Sequence, residues 1–478
     1  MPKSSSVVAL ALVILSTSLA SAQSVCRAGI TSDKLICLIP QVFGPDGLVL
    51  PAGPSEFQSG FAGNSLVPLN SAIARQSVLL PLASPSSGLT FVLSKDGIPV
   101  PSTDSLGPIY AERAETIGQR KAFVGVDYQY LNFTSLDGIS LKNLPEVFTQ
   151  PDNSVNAPPG RTCSAAVNGF NTGPCAFIRD VVKVNNRVDL KIHEFITFVT
   201  YGLTHRIDVS LAVPITNVRM GILSDATIVD VSATHVHAFA PRTGCGTPTT
   251  NCLNQQFSSV RNASGIGDMT LRVKGTAWKG EQAALAIGLD VRVPTGDSLN
   301  FLGAGAAGVK PFVVWSYKTK ATFSYHLNAG FEVNGSSLIA GDISTGTNDR
   351  LPSQLTYAAG ADVRISKRVT AVFDLVGQQV FEAQRLSQKT FTELGACTPN
   401  PDPLSPPRCP IGTGPSNIGN MDPNLTQTAG TFNVSNISVG LKLRPFSNLL
   451  ITGNALIKVN DGGLRSSVVP LGGVSYTF

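Results

Sequence analysis

The sequence predicts an all-β chain: a transmembrane antiparallel β-barrel of about twelve strands, preceded by an irregular N-terminal segment. Three observations predict it. Residues 268–297, DMTLRVKGTAWKGEQAALAIGLDVRVPTGD, alternate apolar and polar side chains on both sides of a short polar break at Lys279-Gly280-Glu281. Strict period two over that length means a hairpin, and each arm matches the roughly 9–11 residues that a tilted strand needs to cross a bilayer. The 478 residues have a mean hydropathy of +0.16 and only 14% charged residues, yet no apolar run beyond the N-terminus is long enough for a spanning helix, about 18 residues. Short turns also alternate with long inserts along the chain, as in barrels with short periplasmic turns and long external loops. A soluble sandwich accounts for one such hairpin but gives no reason to sort loop length by parity.

Taken in order, residues 1–22 read as an export signal. Lys3 supplies the positive start, Val7 to Leu15 the apolar stretch, and Ala20-Ser21-Ala22 a small-residue cleavage site before Gln23. Export makes disulfides the expected state of the eight cysteines. They fall into four local pairs: Cys26 with Cys37, Cys163 with Cys175, Cys245 with Cys252, and Cys397 with Cys409. None has the short spacing of a zinc site, so no metal is expected.

From Gln23 to about Gln119 alternation is absent, and Pro, Gly, Ser and Leu dominate. Two placements fit this segment, a plug inside the barrel or a periplasmic lead-in, with a short helix expected over 108–118. Alternation begins at Lys121 and defines the barrel, 120–478. Its strands are expected at 121–131, 187–201, from 207, over the hairpin above, and at 309–317, 321–334, 355–365, 369–379, 432–444, 449–460 and 467–478. In the second of these, Val188, Leu190 and Ile192 face opposite Asp189, Lys191 and His193, but Glu194 falls on the apolar side. A bulge or a watery position is expected there. The chain stops on Phe478 of an alternating strand, which resembles the signature read by the outer-membrane barrel assembly machinery. The last strand should therefore close on the first. Trp315, Tyr317, Tyr476 and Phe478 should lie in the periplasmic aromatic girdle.

Lipid cannot satisfy exposed backbone, so a spanning sheet must close. The apolar face then meets membrane lipid and the polar face lines a lumen. The pore-lining candidates are Asp127, Asp208, Arg272, Lys274, Asp290, Arg292, His326, Glu332, Asp362, Arg364, Asp374, Lys442 and Arg444, with His193, Lys310 and Lys458 on the same reasoning. Their signs nearly balance, which argues against a strongly ion-selective pore. Net charge +5 without Lys/Arg clusters gives no nucleic-acid footprint. The His235/His237 pair has no paired carboxylate. The Gly303-Ala-Gly305 stretch lacks the Lys-Ser/Thr of a phosphate loop, so no catalytic residue or cofactor is expected.

Gly267-Asp268, Pro294 to Asp297, the glycines Gly303 to Gly308, and Lys310-Pro311 follow one another in a set order. With YGLTHRIDVSLAVPI at 201–215, they make the chain from about Tyr201 to Phe478 resemble the bacterial outer-membrane transporter family named after phenol meta-cleavage pathways. The resemblance implies a porin-like channel in the outer membrane for passive uptake of small hydrophobic or aromatic solutes, and it supplies no catalytic residues. The alternative is a non-conducting structural or surface-interaction barrel with disulfide-stapled external loops. A monomer is expected.

Overall fold

The computed structural model describes residues 25–26, 29–50, 56–57, 69, 72–73, 91–93, 99–101, 105–149, 181–229, 238–239, 253–319, 322–343, 345–392, 421–446 and 448–478. Of the four expected disulfides, the bridge between Cys26 and Cys37 is formed, with a Cα–Cα distance of 5.4 Å. The other three are not seen, because their partners Cys163 and Cys175, Cys245 and Cys252, and Cys397 and Cys409 all lie outside the described residues. The export signal and the His235/His237 pair lie outside them too.

Twelve antiparallel strands close into a barrel. They are β1 (Ala122–Leu136), β2 (Val181–Gly202), β3 (Ile207–Val229), β4, β5 (Ala283–Val293), β6 (Gly308–Lys318), β7 (Phe323–Asn334), β8 (Gln354–Ser366), β9 (Val369–Thr392), β10 (Met421–Leu443), β11 (Leu449–Lys458) and β12 (Val468–Thr477). β4 consists of two segments, Asn254–Ile266 and Met269–Lys279, and both pair with β3. Closure is made by β12 on β1, with Val474 opposite Val126, and by the Phe478 amide donating to the Ala122 carbonyl at 2.8 Å. The strand count and the closing pair agree with the sequence reading, and the architecture is that of an outer-membrane protein.

The short connections 203–206, 280–282 and 367–368 lie at one end, the periplasmic one, together with Phe478, and the longer connection 294–307 lies at the other. Trp315 stacks on Tyr317 with centroids 6.0 Å apart, and Tyr476 meets Phe478 edge-on at 4.7 Å, at the short-turn end where a girdle belongs.

Several strands are far longer than a bilayer needs. β3 has 23 residues, and at ~3.3 Å per residue it continues well beyond a hydrocarbon layer of about 30 Å. Its two faces exchange character on the way. From Ile207 to Ile215 the outward residues are Ile207, Val209, Leu211, Val213 and Ile215, while Asp208 and Ser210 are buried inside. Beyond that level the outward residues include Asn217, Arg219, Asp225 and Thr227, and the buried inward ones are Val218, Met220, Ile222, Ala226 and Ile228. β2 changes in the same way with no slip in register against β1 or β3. No bulge is therefore needed at Glu194, which points inward and accepts from Gln129 Nε2 at 2.7 Å. His193 is a correction: it faces outward, 2.9 Å from the Tyr128 hydroxyl, because it lies above the level where the faces switch.

In this outer zone the inward apolar side chains form a core with the N-terminal segment. Leu190, Ile192, Val218, Met220 and Ile222 pack with Leu35, Ile36, Leu38, Ile39 and Ile73. Segment 105–121 continues down the lumen and leaves it at the periplasmic end, where the Arg120 amide donates to the Gly202 carbonyl at 2.8 Å. Gly202 is required there, since a Cβ would sit 1.9 Å from the Gly118 carbonyl oxygen. The helix expected over 108–118 does not form. That stretch is bends and extended chain, and its amides bond to the barrel wall instead of to each other.

Candidate functional site: the occupied lumen

Inside the membrane zone the alternation that greases the outside places a ring of polar side chains against segment 105–121. Five amides along the segment find acceptors on four different strands. Leu106 donates to Thr370 Oγ1 at 3.0 Å, Tyr110 to Asp374 Oδ2 at 3.0 Å, and Glu112 to Asn328 Oδ1 at 2.9 Å. Ala114 donates to Ser316 Oγ at 3.0 Å and Ile117 to Asp208 Oδ2 at 3.0 Å. The segment's carbonyls are used as well. Lys274 Nζ bonds the Arg113 and Glu115 carbonyls at 2.7 and 3.2 Å, and Lys442 Nζ bonds that of Pro108 at 2.5 Å. A chain without secondary structure must satisfy its backbone somewhere, and here the barrel wall does it.

Charges continue this lacing. Glu112 takes both Lys274 at 3.0 Å and Arg272 at 2.7 Å, and Arg272 grips Asp290 with two bonds of 2.7 and 2.8 Å. Lys310 adds a third cation to the group, 3.1 Å from Asp290. Higher up, Arg292 lies 3.3 Å from Glu332, which also accepts from Gln354 Nε2 at 2.8 Å. Near the periplasmic end, Glu115 meets Lys318 at 2.6 Å. Burial alone would raise the Glu115 carboxyl, but Lys318 and Arg113 hold it down to about 2.

One arrangement has the composition of a hydrolytic triad. The Ser316 hydroxyl lies 2.8 Å from His326 Nδ1, and His326 Nε2 lies 2.6 Å from Asp362 Oδ1. All three are essentially without solvent exposure, and Ser316 already accepts the Ala114 amide. Its geometry holds the segment and leaves no room for a substrate carbonyl.

Between the laced segment below and the apolar core above lies a cavity of about 200 Å³. One wall, from β4 to β8, carries Arg272, Asp290, Arg292, Lys310 and Glu332. The other, from β9 through β12 to β1, is largely apolar and includes Val376, Val434, Leu456, Val469, Leu131 and Phe133. Phe312 stands between, with the Arg272 guanidinium 4.9 Å from its ring centre.

Of the residues expected in the lumen, the structure brings Asp127, Asp208, Arg272, Lys274, Asp290, Arg292, His326, Glu332, Asp362, Asp374 and Lys442 to the inner face. Arg364 stands at the periplasmic end of the inner face, opposite Thr370, whereas Arg444 lies at a periplasmic turn and donates to the Lys367 carbonyl at 2.7 Å. Lys458 lies at the external end, paired with Asp461 at 2.6 Å. Sequence reading missed Tyr110, Glu112, Arg113 and Glu115, which sit in a stretch without periodicity. It also missed Arg465, in the short strand Leu464–Ser466 that pairs with β1. Their signal was charge: Ala111 to Glu115 holds three ionisable residues in an otherwise apolar, Pro- and Gly-rich segment.

The motif shared with the transporter family is a structural joint. Asp268, at the break within β4, accepts the Gly296 and Ala304 amides at 3.0 and 2.9 Å, and Thr295 Oγ1 donates to the Gly267 carbonyl at 2.7 Å. The Pro-Thr-Gly-Asp turn and the Gly-rich loop are thereby tied to one carboxylate. Asp297 in the same loop pairs with Lys34 of the N-terminal segment at 3.2 Å.

Residues 181–384, from β2 into β9, match the model of a family described by the MetA pathway of phenol degradation. Among curated proteins, none matches the chain. Similar solved structures include an outer-membrane channel from Pseudomonas putida F1, at 11% identity and TM-score 0.41, covering 76% of this chain and 98% of that one. The toluene transporter TbuX of Ralstonia pickettii gives 9%, 0.31, 76% and 90%. A variant of the monoaromatic hydrocarbon channel TodX gives 8%, 0.32, 83% and 98%.

Proposed function

We propose that this twelve-stranded outer-membrane barrel, whose central strands carry the pattern of the phenol-degradation family, is a channel for passive uptake of small hydrophobic or aromatic solutes. We further propose that its N-terminal segment, residues 23–119, is the plug. The observation that carries the reading is the cavity of about 200 Å³ held within the lumen, one wall apolar and the other charged. Sites for small solutes are concave and mostly apolar, with a few placed polar groups, and a barrel built only to display loops has no need of one. Most of the inward charges pair with one another or with the plug and so hold it in place. Solute movement then requires the laced segment to shift, which polar contacts permit more readily than an interdigitated core.

The non-conducting alternative draws its support from that same lacing, which runs through the periplasmic half of the lumen. Uptake of labelled toluene into liposomes, without any energy source, separates the two. The channel reading expects saturable uptake by the wild type. It also expects loss of uptake when Ala114→Cys and Ser316→Cys are joined by a disulfide across the 3.0 Å contact, and recovery on reduction. Uptake no faster than in protein-free liposomes, with the plug present and after deletion of residues 23–119, would overturn it. Assembly by the outer-membrane barrel machinery belongs to the same proposal, as does a monomeric state.

A further inference from the structure

The cavity carries an excess of positive charge among the described residues. Its lining holds four cations, Arg272, Arg292, Lys310 and Arg465, against three carboxylates, Glu112, Asp290 and Glu332. Arg272 and Lys310 share Asp290, Arg272 also meets Glu112, and Arg292 has Glu332. Arg465 is different. It is 3% exposed, and its donors go to neutral acceptors: Nε to the Asn460 carbonyl at 3.0 Å, and Nη2 to the Ser435 carbonyl and Asn436 Oδ1, both at 2.7 Å. Among the described residues no carboxylate lies within ion-pair distance of it; Asp461 attracts it only at longer range and is itself paired with Lys458 at 2.6 Å. Across the lumen, Arg292 Nε is also buried without a partner.

The surroundings of Arg465 are apolar. Leu464 precedes it, Ser466 pairs in register with Phe133, and Leu456 sits opposite Val469 on the neighbouring strands. All of these line the cavity. We propose that the cavity binds small apolar molecules bearing an anionic group, a carboxylate foremost, with Arg465 as the anion's partner and the Phe133, Leu456, Leu464 and Val469 wall receiving the apolar body. A buried guanidinium that bonds only to carbonyls remains a desolvated charge, and an incoming carboxylate supplies the missing counter-ion. Burial lowers the Arg465 pKa only to about 10, so it is charged at neutral pH. A neutral hydrocarbon fills the same space but leaves this charge unmatched, and an organic cation is repelled.

This inference rests on reading the lumen as a solute site, and calorimetry tests it without requiring transport. Full-length barrel in detergent is titrated with benzoate, benzenesulfonate, benzyl alcohol and benzylamine. Benzoate is expected to bind at least tenfold more tightly than benzyl alcohol, with benzenesulfonate following benzoate and benzylamine weakest. Arg465→Gln should weaken benzoate tenfold or more and leave benzyl alcohol within twofold, with Arg465→Lys in between. Benzoate no tighter than benzyl alcohol in the wild type would overturn the proposal. So would equal losses of both ligands in Arg465→Gln, which would mark Arg465 as a loop staple. Should that variant fail to fold, the order of benzoate and benzylamine on the wild type decides alone. Binding of benzoate by a barrel that passes no solute would sink the channel reading and leave this one standing.

Discussion

The membrane zone and the outer zone of this barrel are built from the same strands and follow opposite rules. Below the level of Ile215 the wall is apolar outside and mostly polar inside, with small apolar patches such as Phe123, Ile196, Phe198 and Ala212 against Ile117. Above that level, β2 and β3 are polar outside and bury Leu190, Ile192, Val218, Met220 and Ile222. No register slip separates the two halves of these strands, so the backbone is continuous while the side-chain code inverts. What decides the code is the medium on each side. In lipid the outside must be greasy and the inside may stay polar, provided something satisfies it. In water the same cylinder must turn its apolar residues inward and fill itself, which the segment around Leu35–Ile39 does. The outer zone is a soluble domain with a wall for a scaffold, and the membrane zone is an inside-out one.

If the membrane zone is held by polar lacing, its most damaging change is the loss of a buried cation. Lys274→Ala removes one of the two cations on Glu112 and the donor to two segment carbonyls; with Arg272 still in place, the cost should stay below the roughly 3–5 kcal/mol of a fully broken buried pair. Hydrogen exchange across residues 105–121 should rise by a matching factor while the strands stay protected. Unchanged exchange there would show that apolar contacts hold the segment instead.

The Glu115–Lys318 pair gives the same lacing a pH dependence. The folded pKa of Glu115 lies below its ordinary value of 4.5, at about 2, so its contribution is present above 4.5 and lost as pH falls toward 2. Protection of 113–121 should decline over that window in the wild type and be flat in Glu115→Gln. Loss of protection at higher pH would place the controlling group elsewhere.

In the outer zone, opening a void in the core should do the most harm. Leu190 is fully buried, and Leu190→Ala should cost about 2–5 kcal/mol, read as a lower midpoint for local unfolding of 29–43. The outward face tells the other half. Leu289, 42% exposed in the membrane zone, faces lipid, and Leu289→Lys should cost about 2–4 kcal/mol in a bilayer. In detergent refolding assays the penalty should shrink. An equal penalty in both media would mean that this face is not in hydrocarbon.

The barrel was legible because lipid leaves a simple mark: period two over ten residues, repeated, with loops sorted by length. Phe323, Tyr325, Leu327, Phe331 and Val333 of β7 stand outward as their alternation required. The outer zone was harder to read, since Val188, Leu190 and Ile192 alternate as cleanly as any lipid-facing trio and periodicity does not say which side is wet. His193 was misplaced for that reason. The lace was invisible for a different one. Segment 105–121 has no repeat of its own, because its order comes from Asp374, Asn328, Ser316 and Asp208 on four separate strands.

The mildest change belongs to the outside of the outer zone. Arg187 and Asp225 form an ion pair across β2 and β3, with both side chains more than 40% exposed. Water solvates each alone nearly as well, and salt screens the pair, so Arg187→Ala should change stability by no more than about 1 kcal/mol. Added sodium chloride should erase even that difference in a chemical denaturation series. A loss of several kcal/mol, insensitive to salt, would mean that this face is covered rather than wet, and the division drawn between the two zones would fail at that point.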